Sequence, residues 1–70
     1  MTQTHQTFGR NVVKLRMKME MTQETLSERA DISHRYLQSI EAGRKQPSIN
    51  VVARLHSALG CKWDDLLKGI

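Results

Sequence analysis

Cysteine is nearly absent from this chain of 70 residues. Because Cys61 is the single thiol, an intramolecular disulfide cannot form. The cysteine and the histidines are not at the spacing of zinc ligands, so a structural zinc site is not expected either. A core of this size gains only about a few kcal/mol unless a disulfide, a metal or a second subunit adds to it. A second subunit is therefore the reinforcement that we expect.

Long apolar runs are lacking too. No stretch approaches the ~18 consecutive apolar residues of a membrane span. The first residues, Met1 to Thr4, are polar, so the apolar segment of a secretory signal is missing as well. We therefore expect a cytoplasmic protein with no membrane partner.

Proline occurs once and glycine four times, and the alternation of apolar and polar residues that is typical of strands is not found. A chain of this length buries only ~60% of the surface that its unfolded form exposes, so it has room for one core. We assign residues 1–70 to a single domain.

Seven acidic residues against eleven basic ones give a net charge of +4, which favours a polyanionic partner without proving one.

The first segment carries apolar residues at helical spacing, in steps of four, three and four: Phe8, Val12, Leu15 and Met19. This spacing predicts a helix over about 6–19, preceded by a flexible tail at 1–6.

Two further helix starts lie eleven residues apart. Thr22 and Ser33 are both good N-caps. Each is flanked by apolar residues at the same two offsets: Met21 and Leu26, then Ile32 and Leu37. Only about two turns of helix fit between the caps, so the chain must turn tightly at Asp31. The spacing predicts a helix-turn-helix over about 22–42.

The rest of the chain predicts two more helices. Gly43 and Pro47 mark a loop over 43–47, because glycine suits the left-handed end of a helix and proline blocks its continuation. Ser48 caps a fourth helix, whose predicted core stripe is Ile49, Val52, Leu55 and Leu59. A short last helix over 62–68 has Trp63, Leu66 and Leu67 as its apolar side. The predicted fold class is all-α, a compact domain of five short helices.

The outward side of the third helix carries hydrogen-bonding groups. At ~100° per residue, five residues share what we call the outer arc: His34, Arg35, Gln38, Ser39 and Ala42. Arg35 has the planar fork that pairs with guanine, Gln38 can bond adenine bidentately, and Ser39 is short enough to meet several base edges. This chemistry predicts a helix that reads base pairs in a DNA groove.

A second interpretation is that the outer arc is only the solvated side of an amphipathic helix. Two features favour the first interpretation. No carboxylate lies within the arc, since Glu41 is at its edge, and two basic residues, Arg44 and Lys45, follow the helix directly. An ordinary solvated face more often mixes charges of both signs.

A set of motifs runs along most of the chain: Thr22-Gln23-Glu24, Leu26, Ile32-Ser33, Tyr36-Leu37, Ile40-Glu41-Ala42-Gly43-Arg44, Pro47-Ser48 and Ala58-Leu59-Gly60. In these motifs, from about Val12 to Leu67, the sequence resembles the lambda-repressor-like family of XRE-type regulators. The resemblance implies a five-helix domain whose third helix lies in the major groove, commonly with two subunits on a pseudo-palindromic operator.

The resemblance places the base-reading positions on His34, Arg35 and Ser39, and Gln38 lies beside them on the outer arc. Gln23 matches a glutamine that contacts phosphate and braces the start of the recognition helix. The other candidates for phosphate contact lie at the start of helix two and around the loop before helix four: Thr22, Arg44, Lys45 and Asn50. The alternative for each is a solvated side chain.

The resemblance also implies structural roles. Arg16 and Glu41 match positions that form a partly buried ion pair between the first and third helices. Ser27 occupies the small-residue position where helices two and three cross. Asp31 stands where the family commonly has glycine, and aspartate tolerates the left-handed region better than most residues, so we expect the turn to form at some cost in strain.

Catalytic and metal-binding patterns are not found in the sequence. The three histidines and Cys61 have neither the spacing nor the shared helical face of a metal site, and adjacent acids such as Asp64 and Asp65 point ~100° apart on a helix. We expect no enzyme activity, cofactor, metal or small-molecule ligand. Cys61 is either a redox-sensitive thiol or a half-buried inert one.

The resemblance implies a homodimeric repressor or autoregulator that binds double-stranded DNA, of the type found among phage repressors and restriction-modification controllers. The alternative is an antitoxin-like interaction module that neutralises a partner toxin and autoregulates through DNA binding. Dimer contacts are expected on the last helix, from Trp63, Leu66, Leu67 and Ile70. Trp63 and Leu67 have a competing role, which is to close the core of the monomer.

Overall fold

The computed structural model describes residues 3–70 and confirms an all-α fold of five helices. No strand is found among these residues. The helices, in chain order, are α1 Gln3–Lys18, α2 Gln23–Ala30, α3 His34–Glu41, α4 Ile49–Leu59 and α5 Trp63–Leu66. In the folded domain α1 packs on α3 and α5, while α2 packs on α3 and α4.

The flexible tail expected over 1–6 is wrong for residues 3–6, which form the first turn of α1. Two contacts hold this turn to the loop after α3. His5 Nε2 lies 2.8 Å from Gln46 Oε1, and the Gln6 side chain packs against Gly43. Met1 and Thr2 lie outside the described residues.

The three serine and threonine caps act as the sequence predicts. The side-chain oxygens of Thr22, Ser33 and Ser48 each accept a hydrogen bond from the backbone N–H three residues later. These bonds satisfy backbone donors that the first turn of a helix leaves without partners. The first residues of α2, α3 and α4 are therefore determined by short-range signals.

Three helices end in the same way, with a left-handed residue that closes a Schellman motif. Glu20, Asp31 and Gly43 have φ angles of 58°, 56° and 75°. In each case the left-handed residue and the next one donate backbone hydrogen bonds to carbonyl groups of the preceding helix. Asp31 thus makes the turn without glycine, as expected. Glu20 also makes its turn without glycine, and this turn ends α1 before Met19.

The core is a single cluster of apolar side chains from all five helices. Its largest fully buried members are Val12, Leu26, Leu37, Ile40, Leu55, Leu59 and Leu66. Ser27 is also buried, and its hydroxyl donates to the Glu24 carbonyl at a distance of 2.9 Å.

Two residues predicted to pack inward lie outside the core. Met19 is 51% exposed because α1 has already ended at Lys18. Ile49 is 82% exposed, and Val51 takes the inward position in the first turn of α4. Residues two apart on a helix point ~200° apart, so the burial of Val51 turns Ile49 to the surface.

Gly9 sets the distance between α1 and α3. A Cβ atom at this position would lie 2.8 Å from the Glu41 carbonyl oxygen and would also collide with the Ile40 carbonyl oxygen. Both are backbone atoms, which cannot rotate away. Asn11, two positions further along α1, donates its amide hydrogens to the Leu66 and Lys68 carbonyls at 2.8 and 2.9 Å, which holds α5 against α1.

The substitution Gly9→Ala tests this close approach, because helix propensity and the collision predict changes of opposite sign in the free energy of unfolding. Helix propensity alone would make alanine stabilising by about 0.5–1 kcal/mol. The collision with α3 predicts instead a loss of about 1–3 kcal/mol in the free energy of unfolding. Urea denaturation followed by circular dichroism measures this change. A stabilised Gly9→Ala variant would show that α1 and α3 are further apart than described.

Candidate nucleic-acid interface

Helix α3 is held by its apolar side and presents the outer arc to solvent. Leu37 and Ile40 are fully buried beneath it. On the opposite side His34, Arg35 and Gln38 are exposed and Ser39 is partly exposed. The structure thus places the four predicted base-reading residues together on one accessible surface. This surface is convex and two turns long, which suits insertion into a major groove.

The end of α3 positions the basic residues that follow it. Gly43 donates its backbone N–H to the Ile40 carbonyl at 3.0 Å, and Arg44 donates to the Ser39 carbonyl at 2.9 Å. These two bonds turn the chain away from the helix axis immediately after the outer arc. Arg44 and Lys45 are exposed there, and Asn50 is exposed in the first turn of α4.

The structure pairs Arg16 with Glu41 across the contact between α1 and α3. Arg16 Nε lies 2.7 Å from Glu41 Oε2, and a terminal guanidinium nitrogen donates to Oε1 at 3.2 Å. The other terminal nitrogen donates to the Met21 carbonyl at 3.0 Å. The two side chains are 16% and 5% exposed, so the pair is shielded from water. A bidentate ion pair of this kind constrains both distance and orientation.

Gln23, the first residue of α2, joins this ion pair to the outer arc. Its amide Nε2 donates to Glu41 Oε1 at 2.7 Å, and its Oε1 lies 3.2 Å from His34 Nε2. The side chain therefore bridges α2 to both ends of α3. Among residues 3–70 no partner takes the second amide hydrogen or the backbone N–H of Gln23, so both can be offered to an external anion.

A polar hollow of about 360 Å³ opens at the start of α2. Its lining consists of Arg16, Thr22, Gln23, Glu24 and His34. The Thr22 hydroxyl already accepts from the Thr25 N–H at 3.0 Å and lies 3.0 Å from Thr25 Oγ1. A phosphate at Thr22 would compete with these bonds, whereas Gln23 still has free donors. The positive end of α2 adds to the attraction for an anion here.

Leu66 is not a surface residue, so its expected place in a dimer contact is wrong. It is fully buried, because α5 packs on α1 and turns Leu66 into the core of the monomer. Leu67 and Ile70 remain 41% and 57% exposed. Trp63 is 45% exposed, and its indole stacks on the His56 ring with centroids 3.8 Å apart.

Leu67 and Ile70 line an apolar hollow of about 140 Å³ at the surface. Its other lining residues are Thr4, His5, Phe8, Gln46, Pro47 and Val52. Ile49 lies three residues before Val52 and thus on the same side of α4. Residues 67–70 and the start of α4 thus both expose apolar side chains: Leu67, Ile70 and Ile49.

Other chemistries have little support among the described residues. Burial raises the pKa of the Cys61 thiol, and the nearby Asp65 carboxylate adds to this effect. A raised pKa leaves less of the reactive thiolate at neutral pH, which favours the inert role for Cys61. Within residues 3–70 no three His, Cys, Asp or Glu side chains cluster as metal ligands do. In the same residues no helix has the length and apolar character needed to cross a membrane.

Several positioning contacts are not evident from the sequence. Gly9 is a lone glycine inside a helical segment, which is the one local signal for a close backbone approach. Asn11 lies in the same segment, but nothing in the sequence around it identifies the Leu66 and Lys68 carbonyls as its partners. The bond between Gln23 and Glu41 joins residues 18 positions apart and depends on how α2 and α3 pack.

The sequence matches a family model described as helix-turn-helix over residues 12–66. An uncharacterized HTH-type transcriptional regulator of Sinorhizobium fredii is 36% identical over 59 residues, covering 84% of this chain and 77% of that protein. The control protein C.BamHI of Bacillus amyloliquefaciens is 34% identical over 61 residues, covering 86% of this chain and 75% of that protein. Among solved structures, the restriction-modification controller protein C.AhdI from Aeromonas hydrophila is similar to this chain, with a TM-score of 0.84 and 26% sequence identity. The likeness covers 89% of this chain and 94% of that one.

Removal of the Arg16 guanidinium should destabilise the fold. Arg16→Ala leaves the Glu41 carboxylate, which is 5% exposed, without its countercharge, and we expect a loss of about 3–5 kcal/mol in the free energy of unfolding. Urea denaturation measures this loss. The matched control is Arg10→Ala, on the exposed side of the same helix, with an expected change below about 0.5 kcal/mol. Equal effects at the two positions would contradict a structural role for the ion pair.

Proposed function

Because the chain belongs to the helix-turn-helix family, we propose that it binds a pseudo-palindromic operator as a homodimer and represses transcription, including that of its own gene. The observation that carries this proposal is the exposed outer arc of α3, which has hydrogen-bonding side chains and no carboxylate. It is held rigidly by a shielded ion pair at its other side. The family assignment makes the chain a DNA-binding transcriptional regulator. The operator contacts and the dimer are the parts that we propose.

The base contacts are assigned to the outer arc. Arg35 would donate two parallel hydrogen bonds to guanine O6 and N7, and Gln38 would bond the N6 and N7 atoms of adenine. Ser39 is partly exposed and lies one turn after Arg35, so it would meet a neighbouring base pair. His34 opens the helix and would meet the base pair nearest the polar hollow.

The phosphate contacts are assigned to both ends of the reading surface. At the start of α2, Gln23 offers an amide hydrogen and its backbone N–H to one phosphate. After α3, Arg44, Lys45 and Asn50 would reach the backbone on the other side of the groove. Contacts at both ends fix the register of α3 along the DNA, while base contacts provide the sequence preference.

The homodimer is assigned to the apolar surface formed by Ile49 and by the apolar hollow that Leu67 and Ile70 line together with residues of α1, α4 and the loop before α4. One recognition helix covers too few base pairs to define a genomic site, so a second half-site is needed. The proposal requires the two-fold axis to present the two α3 helices ~34 Å apart, which is one turn of B-DNA. Trp63 extends the surface, although its stacking on His56 already shields one face of the indole.

The two relatives named as a control protein and a restriction-modification controller favour a controller among the possible regulators. Such a protein needs no ligand-sensing domain, because its own concentration can set the occupancy of the operator. Dimerisation makes that dependence steeper, since the DNA-binding species grows with the square of the monomer concentration. We therefore propose control by protein level.

Two arginines should have different effects on DNA binding. On an operator obtained by selection from random duplexes, Arg35→Ala should lose about 1–3 kcal/mol of discrimination at one base pair per half-site. Arg44→Ala should weaken binding to all duplexes similarly and lower the salt slope by about one, because it removes one cation from the DNA backbone. Fluorescence anisotropy over a salt series, with cognate and scrambled duplexes, measures both. An Arg35→Ala variant with undiminished discrimination would refute the base-reading assignment.

The dimer is tested by a charge placed on the apolar surface. Wild type should sediment as a dimer at micromolar concentration, and Ile70→Asp should sediment as a monomer, since an unpaired carboxylate would be buried in the contact. Met17→Asp is the matched control, because Met17 is 64% exposed on α1 and lines neither hollow. A monomeric wild type, or an Ile70→Asp variant that dimerises as well as the control, would contradict this interface.

A further inference from the structure

The His34 imidazole has two nitrogen atoms, and the position of its hydrogen decides what the ring can recognise. A neutral ring donates at one nitrogen and accepts at the other. The contacts around His34 determine which of its two nitrogens donates and which accepts. They begin at the shielded ion pair between Arg16 and Glu41 and reach the ring through Gln23.

The orientation of the Gln23 amide follows from the ionised Glu41 carboxylate. Glu41 receives two N–H bonds from Arg16, at 2.7 and 3.2 Å, so both of its oxygens act as acceptors. The Gln23 atom that lies 2.7 Å from Glu41 Oε1 must therefore be a donor, which is the amide nitrogen. A flipped amide would place two oxygen acceptors against each other in a shielded site.

The orientation of the amide in turn fixes the tautomer of His34. With Gln23 Nε2 on Glu41, the atom 3.2 Å from His34 Nε2 is the amide oxygen, which can only accept. His34 Nε2 must therefore carry a hydrogen. In the neutral ring the lone pair is then on Nδ1, and within residues 3–70 the His34 ring makes no other hydrogen bond.

We propose that Glu41 and Gln23 are positioning residues that hold neutral His34 in the Nε2–H form, and that His34 Nδ1 thereby reads an exocyclic amino group of adenine or cytosine. These amino groups are the hydrogen-bond donors that bases present in the major groove. The base preference of His34 is then a consequence of an ion pair that does not touch DNA. This inference rests on the proposed placement of α3 in the major groove.

Nitrogen-15 NMR of the free protein tests the tautomer without DNA. In alkaline buffer, where imidazole is neutral, the ring nitrogens of wild-type His34 should show the Nε2–H form alone. Gln23→Ala removes the acceptor and should add the signal of the Nδ1–H form. Circular dichroism checks that the variant is folded. The same mixture of tautomers in wild type and in Gln23→Ala would overturn the proposal.

Gln46→Ala is the matched control, because it removes the glutamine partner of a different histidine. His5 Nε2, in the first turn of α1, lies 2.8 Å from Gln46 Oε1. The Gln46→Ala substitution should alter the His5 ring signals and leave those of His34 unchanged. A change at His34 in both variants would show a general loosening of the fold and would also contradict the proposal.

A second measurement tests the base contact. On the selected operator, each adenine is replaced in turn by 2-aminopurine, and each cytosine by 2-pyrimidinone, which removes the major-groove amino group. One replacement should weaken wild-type binding about 2- to 10-fold and leave His34→Ala binding unaffected. No such position, with Arg35→Ala still losing its own discrimination, would overturn the reading by His34 while α3 remains in the groove. Loss of both effects would instead refute the placement of α3.

Discussion

The carboxylate of Glu41 is the interaction on which the rest of the structure depends. It sits on α3, accepts two bonds from Arg16 on α1 and a third from Gln23 on α2, and is 5% exposed. Three helices therefore meet at a single buried charge. An apolar contact of the same size would allow sliding and rotation, whereas directional bonds to a carboxylate do not. The orientation of the outer arc relative to α1 and α2 is a consequence of this geometry.

Short-range signals explain how much of the fold could be predicted from the sequence. Thr22, Ser33 and Ser48 cap their helices through contacts three residues long, so the helix-turn-helix was predictable from spacing alone. The predicted environments of Ile49 and Leu66 are wrong, because a helical stripe does not show where the core ends. That limit depends on neighbouring helices: Val51 fills the place predicted for Ile49, and α1 covers Leu66.

The candidate site also has one part that the sequence predicts and another that depends on packing. The outer arc follows from the angular spacing of residues on one helix, and the structure presents His34, Arg35 and Gln38 as a common exposed surface. The bridge from Glu41 through Gln23 to His34 joins residues from two helices and depends on side-chain rotamers, which no spacing rule specifies. The sequence predicts which groups are available for recognition, and packing decides which atoms of those groups remain free.

The attachment of α5 to α1 through Asn11 also has a consequence for the DNA. In the proposed homodimer, Leu67 and Ile70, which follow α5 directly, contribute to the contact between subunits, and α1 packs tightly against α3 at Gly9. Within residues 3–70 these packing contacts link the proposed dimer contact to the outer arc, so in such a dimer we expect the two reading surfaces to move as one rigid body. Each base pair inserted between the half-sites rotates one of them by about 34° around the DNA axis. A rigid dimer cannot follow that rotation, and the spacer length becomes as much a part of the operator as the bases that are read.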